Sequence, residues 1–172
     1  MTTNVAKQYA IALFSLASEK EITDDVFTDF KQLLSGFNDL VWRFFLNPRI
    51  EDDDKKNLFE KSTDNKLLND FLKTVIDNKR IDSLQDIFEA YKYLLNDSKN
   101  IAEINVYTKT SLTKANKEKL INKFSNKFNK KIIINEVIKP NIAGGIRIDY
   151  RGQVLDQTIN AFLDDLKASL IG

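Results

Sequence analysis

Ile101-Ala-Glu-Ile-Asn-Val-Tyr-Thr108 is the segment on which the architecture turns. Ala102, Ile104, Val106 and Thr108 alternate with Glu103, Asn105 and Tyr107, a period of two that belongs to a strand with one wet face. Upstream the apolar residues repeat at three and four instead. Phe27, Phe30, Leu33, Leu34 and Phe37 stripe one helix, and Ile87, Ala90, Tyr91, Leu94 and Leu95 stripe another. Downstream come a helix with Leu120, Ile121, Phe124 and Phe128, then Ile132-Ile-Ile-Asn-Glu-Val-Ile138, whose β-branched content makes it a strand. The reading is α+β overall: an N-terminal six-helix antiparallel bundle over 1–100, then a small α+β domain over 101–172 with a short mixed sheet and a C-terminal helix.

The local signals set expected boundaries. Thr2, Thr3 or Asn4 can cap a first helix that continues through Ala17, and Thr23 precedes the first-turn acids Asp24 and Asp25 of a second. Asn47-Pro48 stops the apolar piece over 40–46, because a residue before proline resists the helical region. Further helices are expected near Asp54 to Lys61, from Asn65 to Asp77, and from Asp82, where Gln85 three residues on makes an approximate capping box. Pro140 to Gly145 reads as a turn and Arg151-Gly152 as a hairpin loop. Asp156 is expected to cap a terminal helix carrying Ile159, Phe162, Leu163, Leu166 and Leu170.

The 172 residues are 42% apolar and 30% charged, with 2 Pro and 5 Gly, a composition that builds a folded core. The chain has neither Cys nor His. That removes disulfides, thiolate metal sites, cysteine nucleophiles and every hydrolase triad built on imidazole. Residues 1–100 hold 14 Lys and Arg against 18 Asp and Glu, and residues 101–172 hold 12 against 7. The charge changes sign where the period changes. No apolar run approaches the ~18 residues of a membrane span, and Tyr9 to Ala17 lacks the basic lead of a secretion signal, having only Lys7 before it.

Candidate sites for chemistry are thin, and no catalytic, cofactor or metal residues are assigned. Glu51-Asp52-Asp53-Asp54 fails the calcium-loop spacing, with Asn57 where Gly is needed and Thr63 where the bidentate Glu is needed, so it reads as acids at a helix start. Gly144-Gly145 is followed by a strand pattern rather than by Lys-Ser/Thr and a helix, which leaves a turn and no phosphate loop. The lysines over 109–139 offer an alternative function, nucleic-acid binding through a helical face with Lys123, Lys127 and Lys130. Phe124 and Phe128 sit on the apolar stripe, however, and provide no stacking platform. The helix from Tyr9 to Ala17 is apolar nearly all round, and that over 65–77 has two adjacent stripes, Leu67/Phe71/Val75 and Leu68/Leu72/Ile76. Either both are central helices of the bundle, or they leave a groove, widened by Ala6, Ala10 and Ala17, for a helix of another chain.

Several stretches, taken in order, resemble one family. Tyr9-Ala-Ile-Ala-Leu-Phe-Ser-Leu-Ala17, Phe45-Leu-Asn-Pro-Arg-Ile50 with Lys55-Lys56, Asp77-Asn-Lys-Arg80, and Val137-Ile-Lys-Pro-Asn-Ile-Ala-Gly-Gly-Ile-Arg-Ile148 with Asp156-Gln-Thr158 resemble the delta subunit of bacterial F-type ATP synthases. Its mitochondrial counterpart is the oligomycin sensitivity conferral protein. The sequence departs from the family's pattern at Thr158, where Ser is common, and at Thr74, where an apolar residue is expected. The resemblance implies a non-catalytic stator subunit that joins the catalytic head to the peripheral stalk and resists rotor torque during ATP synthesis or hydrolysis, proton passage belonging to other subunits. It implies that the helical domain receives the N-terminal helix of an alpha subunit through Ala6, Tyr9, Ala10, Leu13, Phe71, Thr74 and Val75. It implies that the second domain holds a b-type stalk subunit, with other head subunits met indirectly. No cofactor, nucleic acid or membrane insertion is expected, and the location implied is peripheral, on the cytoplasmic face of the cell membrane.

Overall fold

Short polar side chains set where the helices begin. Asn38 and Asn65 each turn a side-chain oxygen onto the amide three residues ahead, at 3.0 Å to Val41 and 3.2 Å to Leu68, and so satisfy amides that have no partner within the helix. A computed structural model describes residues 4–150 and 153–158. The chain divides into two compact units, Met1–Leu95 and Asn96–Gly172.

The first unit is helical throughout: α1 (Asn4–Glu19), α2 (Thr23–Ser35), α3 (Asp39–Leu46), α4 (Asp52–Glu60), α5 (Lys66–Asp77), a 3₁₀ turn (Ile81–Ser83) and α6 (Leu84–Ser98). Thr23 is the first helical residue of α2 rather than its cap, and Ile22 at the cap position offers no side-chain acceptor. The capping box expected at Asp82 is absent, because Asp82 lies inside the 3₁₀ turn, where its carboxylate accepts from the Ser83 hydroxyl. With few glycines to hand, helices end on other residues: Glu21 and Lys79 adopt φ of 58° and 56° just past α1 and α5. The next amides then reach back, Ile22 to Ala17 O and Arg80 to Val75 O, both at 2.9 Å.

The core of this unit is mainly aliphatic, with clusters of aromatic rings set into it. Phe37, Phe45 and Phe59 form a mutually stacked cluster, with the Phe45 centroid 5.3 Å from Phe37 and 4.4 Å from Phe59, and Phe30 meets Phe88 edge-on at 5.2 Å. Tyr91 is fully buried and donates from its hydroxyl to Thr23 O at 3.0 Å. Burial, aided by the Asp24 charge, pushes its phenol far above the ordinary value. Across the surface, α4 and α5 are laced by three ion pairs, Asp52–Lys79, Lys56–Asp77 at 2.5 Å and Glu60–Lys73.

In the second unit β1 (Ile101–Thr108), α7 (Lys114–Phe128), β2 (Lys131–Ile138), β3 (Gly145–Tyr150) and β4 (Gln153–Thr158) form a mixed sheet in the order β2-β1-β3-β4. β1 and β2 are parallel, the case that requires a crossover, and α7 supplies it; β3 runs antiparallel to both β1 and β4. Ala102, Ile104 and Val106 are buried with Phe124 of α7, Ile132 and Ile148, as the alternation in β1 requires. Gly145 has φ of 82°, the positive value expected at the Gly-Gly turn. Asp156 does not begin a helix. It lies within β4 opposite Arg147, because the strand continues to Thr158. The Arg151-Gly152 loop and the helix expected from Ile159 to Leu170 lie outside the described residues. The class is therefore α+β, with a helical first unit and a four-stranded mixed sheet in the second.

Glu136 of β2 fixes the approach to α7. Its carboxylate accepts from the Leu112 amide at 2.5 Å, the Lys117 ammonium at 2.7 Å and the Ser111 hydroxyl at 3.3 Å. Those donors, the Leu112 amide foremost, hold its pKa below the usual carboxylate range.

Two outcomes follow. Phe45→Ala should lower unfolding free energy by about 3–5 kcal/mol in urea titrations, since a fully buried ring is removed from a stacked cluster; a loss below about 1 kcal/mol would deny the packing. Because the folded pKa of Glu136 is depressed, its contribution exists above the ordinary glutamate value of about 4.3 and disappears as pH falls through the folded value. The melting temperature of wild type should exceed that of Glu136→Gln at neutral pH, and the gap should close as pH falls below the ordinary glutamate range.

Candidate functional site

Residues recurring at i, i+4, i+7 and i+11 share one side of a helix, and α1 has two such stripes. Ala6, Ala10, Leu13 and Ala17 form the first and are fully buried. Val5, Tyr9, Ala12 and Leu16 form the second, turned roughly a quarter of a revolution away at 100° per residue. They pass from half-buried to exposed, Leu16 at 46%. Ile11, on the other flank, is 53% exposed. Only one face of this nearly all-apolar helix is therefore sealed by its own unit.

On α5 the pattern is the same. Leu68, Leu72, Val75 and Ile76 are buried, while Leu67 and Phe71 are half-buried and Thr74 is exposed along the neighbouring stripe. α1, α2 and α5 pack against one another in pairs. Where α1 meets α5, Tyr9 and Phe71 approach edge-to-face, with centroids 6.3 Å apart and planes at 74°. Phe71 in turn meets Phe30 of α2 at 6.4 Å. Asn65 anchors the start of α5: while its oxygen caps the helix, its amide donates to Asp29 of α2 at 2.7 Å.

The seven residues singled out from sequence therefore fall into two groups. Ala6, Ala10, Leu13 and Val75 are fully buried, and Tyr9, Phe71 and Thr74 reach the surface, the first two in mutual contact. Sequence reasoning placed Leu67 on a stripe of α5 that could line a groove, but it missed Val5, Ala12 and Leu16, which carry the accessible apolar stripe of α1. Their signal was the helical offset of Tyr9 and Phe71 from the buried stripes, visible once those two are taken as the centre of the exposed face.

Two of the short motifs have structural roles close by. Lys55, itself buried, donates to Asn47 O at 2.9 Å and so satisfies the carbonyl of the residue that ends α3. Lys56 pairs with Asp77, and Lys79 with Asp52. Phe45-Leu-Asn-Pro-Arg-Ile50, Lys55-Lys56 and Asp77-Asn-Lys-Arg80 thus converge around a cleft of 420 Å³ floored by Phe45, Pro48, Ile50, Ile76 and Ile81. Asp52, Asp53 and Asp54 occupy the first turn of α4, where the helix dipole favours acids. In the lysine-rich segment, Lys117 is held by Glu136 and Lys130 by Asp97 at 2.5 Å. Phe124 is buried and Phe128 stacks on Tyr150 at 4.5 Å, so these rings are engaged internally.

The profile of the ATP synthase delta (OSCP) subunit family matches residues 5–170. The chain belongs to this family. It is 31% identical to ATP synthase subunit delta of Clostridioides difficile, covering 99% of this chain and 97% of that one. It is also 31% identical to the subunit delta of Halalkalibacterium halodurans, covering 97% and 94%. Among solved structures, a chain in the cryo-EM structure of the Toxoplasma gondii mitochondrial ATP synthase hexamer has the same fold, with a TM-score of 0.74, 20% identity and 99% of both chains covered. As a delta-family member the chain is a non-catalytic, stator subunit of ATP synthase. No helix among the described residues is long and apolar enough to cross a membrane.

The burial pattern separates packing from contact. Ala10→Leu, forcing three carbons into a filled position, should destabilise the free chain by about 1–3 kcal/mol, whereas Thr74→Ala should stay within about 0.5 kcal/mol. Thermal unfolding of the two variants checks this; equal losses would mean that Thr74 is structurally committed.

Proposed function

We propose that the exposed stripes of α1 and α5 receive the N-terminal helix of an alpha subunit, and that the second unit grips a b-type stalk subunit, so that this chain ties the catalytic head to the stalk. The observation that carries the first half is the unsealed apolar face: Val5, Tyr9, Ala12 and Leu16 beside Leu67 and Phe71, in a unit whose interior is otherwise closed by large side chains. An amphipathic helix laid along those stripes removes apolar area from water and adds no buried charge. On this reading Tyr9, Phe71 and Thr74 touch the partner. Ala6, Ala10, Leu13 and Val75 act from beneath by holding α1 and α5 at the separation the visitor needs, Ala6 and Ala10 through their small size.

We take α1 to α6 as the antiparallel six-helix bundle of the family, 1–100 as the head-binding part and 101–172 as the stalk-binding part. Other head subunits are met indirectly, and the position is peripheral, on the cytoplasmic face of the cell membrane. The role is mechanical. While the rotor turns, the head experiences torque, and the link must transmit that load without yielding. Affinity and stiffness are what such a subunit supplies, through a helical unit stacked with phenylalanines and a sheet crossed by one helix.

Retention of a synthetic alpha-subunit N-terminal peptide tests the reading. Tyr9→Asp, which places a charge on the apolar stripe, should weaken binding by at least about tenfold, while Lys31→Asp on the exposed side of α2 should leave it unchanged. Equal retention by Tyr9→Asp and wild type would exclude this face as the docking site.

A further inference from the structure

Like charges at i, i+4 on a helix oppose one another, so a row of lysines weakens the helix that carries it unless an anion compensates. α7 carries such a row. Lys119, Lys123 and Lys127 follow one another at four-residue spacing, about 6 Å per step, and all three are exposed. The second unit compensates the lysines on either side of them: Glu136 takes Lys117 and Asp97 takes Lys130. Among the described residues no ion pair or hydrogen bond reaches Lys119 or Lys123, and the Lys127 ammonium has only the Phe128 ring, 5.8 Å from the centroid. Glu118 is the single acid of the helix. Among the described residues the repulsion along the row is thus unrelieved.

We infer that the Lys119/Lys123/Lys127 stripe of α7 docks the acidic face of a helix in the peripheral stalk, with carboxylates repeating at four-residue spacing against the three ammonium groups. The inference rests on the stalk-binding role proposed for this unit and names the chemistry of its partner. Charge complementarity selects the occupant. A row that rises about 12 Å along α7 and drifts about 40° per step matches carboxylates repeating at the same spacing on a helix laid across it. The asparagines Asn116, Asn122 and Asn126 interspersed along the exposed surface can donate to carboxylates as well. A single strand of nucleic acid would need rings for its bases. Phe124 is buried, and Phe128 is sandwiched between Phe124 and Tyr150 at 5.6 and 4.5 Å. Such a contact lies in high dielectric, so it steers association and fixes register more than it adds affinity, and it weakens with salt.

The test uses the full chain and the soluble part of the b-type subunit from the same complex, with affinity measured by titration calorimetry at about 50 and about 200 mM salt. The triple variant Lys119→Gln, Lys123→Gln, Lys127→Gln should bind roughly tenfold more weakly at low salt and show a flatter salt dependence. Replacing the three by arginine should keep affinity within about twofold, and unchanged circular dichroism shows that both variants fold. A glutamine variant that binds as tightly as wild type, with the same salt dependence, overturns the stripe and leaves the stalk role intact. A wild-type chain that retains no stalk subunit even at low salt overturns the stalk role itself. Tighter binding of a uridine oligonucleotide than of the stalk subunit, lost in the glutamine variant, also overturns the inference and makes the stripe a nucleic-acid surface.

Discussion

Phe71 is held edge-on between Tyr9 and Phe30, and that three-ring contact sets how α5 lies along α1 and α2. Aromatic rings in such pairs resist sliding, because the favourable meeting of ring edge and ring face is lost within an ångström or two. Asn65 adds a second constraint by capping α5 and holding Asp29 of α2 with the same side chain. With its start tethered and its middle wedged, α5 has one axial position. That position determines which residues of α1 are covered and which are left at the surface. A disturbance at Phe30, deep in the core, would therefore be felt at Tyr9 without any residue of the outer face changing.

The architecture was largely legible because the periodicities are clean. The alternation in β1 and the three-and-four spacing in α2, α5 and α6 each had one consistent interpretation, and Pro48 marked the end of α3. Legibility failed where two local signals competed. Asp82 and Gln85 have the spacing of a capping box, yet Ile81 is buried and Ile81–Ser83 form a 3₁₀ turn, which removes the cap geometry. Asp156 is a good cap residue as well, but cross-strand pairing with Arg147 keeps it in β4. Strand pairing is a non-local property, and no window of sequence around Asp156 contains it.

The proposed docking face was legible only in part, for a related reason. On a helix that is apolar nearly all round, composition identifies the helix but not the sealed side. Ala6, Ala10 and Ala17 suggest a trough when seen in isolation, because small side chains leave space. In the folded unit that space is filled by neighbouring helices, and the accessible stripe is the one centred on Tyr9. The ion pairs between α4 and α5 illustrate the converse. Asp52, Lys56 and Glu60 alternate in sign at four-residue spacing, a pattern that proposes a partner without saying that α5 provides Lys73 and Asp77 and the turn after it Lys79. Solvent-exposed pairs of this kind add little stability individually, but as a set they specify which edge of α4 faces α5.

The displacements of proton affinity among the described residues share one direction relative to neutrality. Asp52 and Glu136 are moved downward, Lys56, Lys73 and Tyr91 upward, and the chain has no histidine or cysteine to titrate in between. These five side chains therefore keep one ionisation state across the neutral range, and the contacts they make persist when the acidity around them drifts by about a unit.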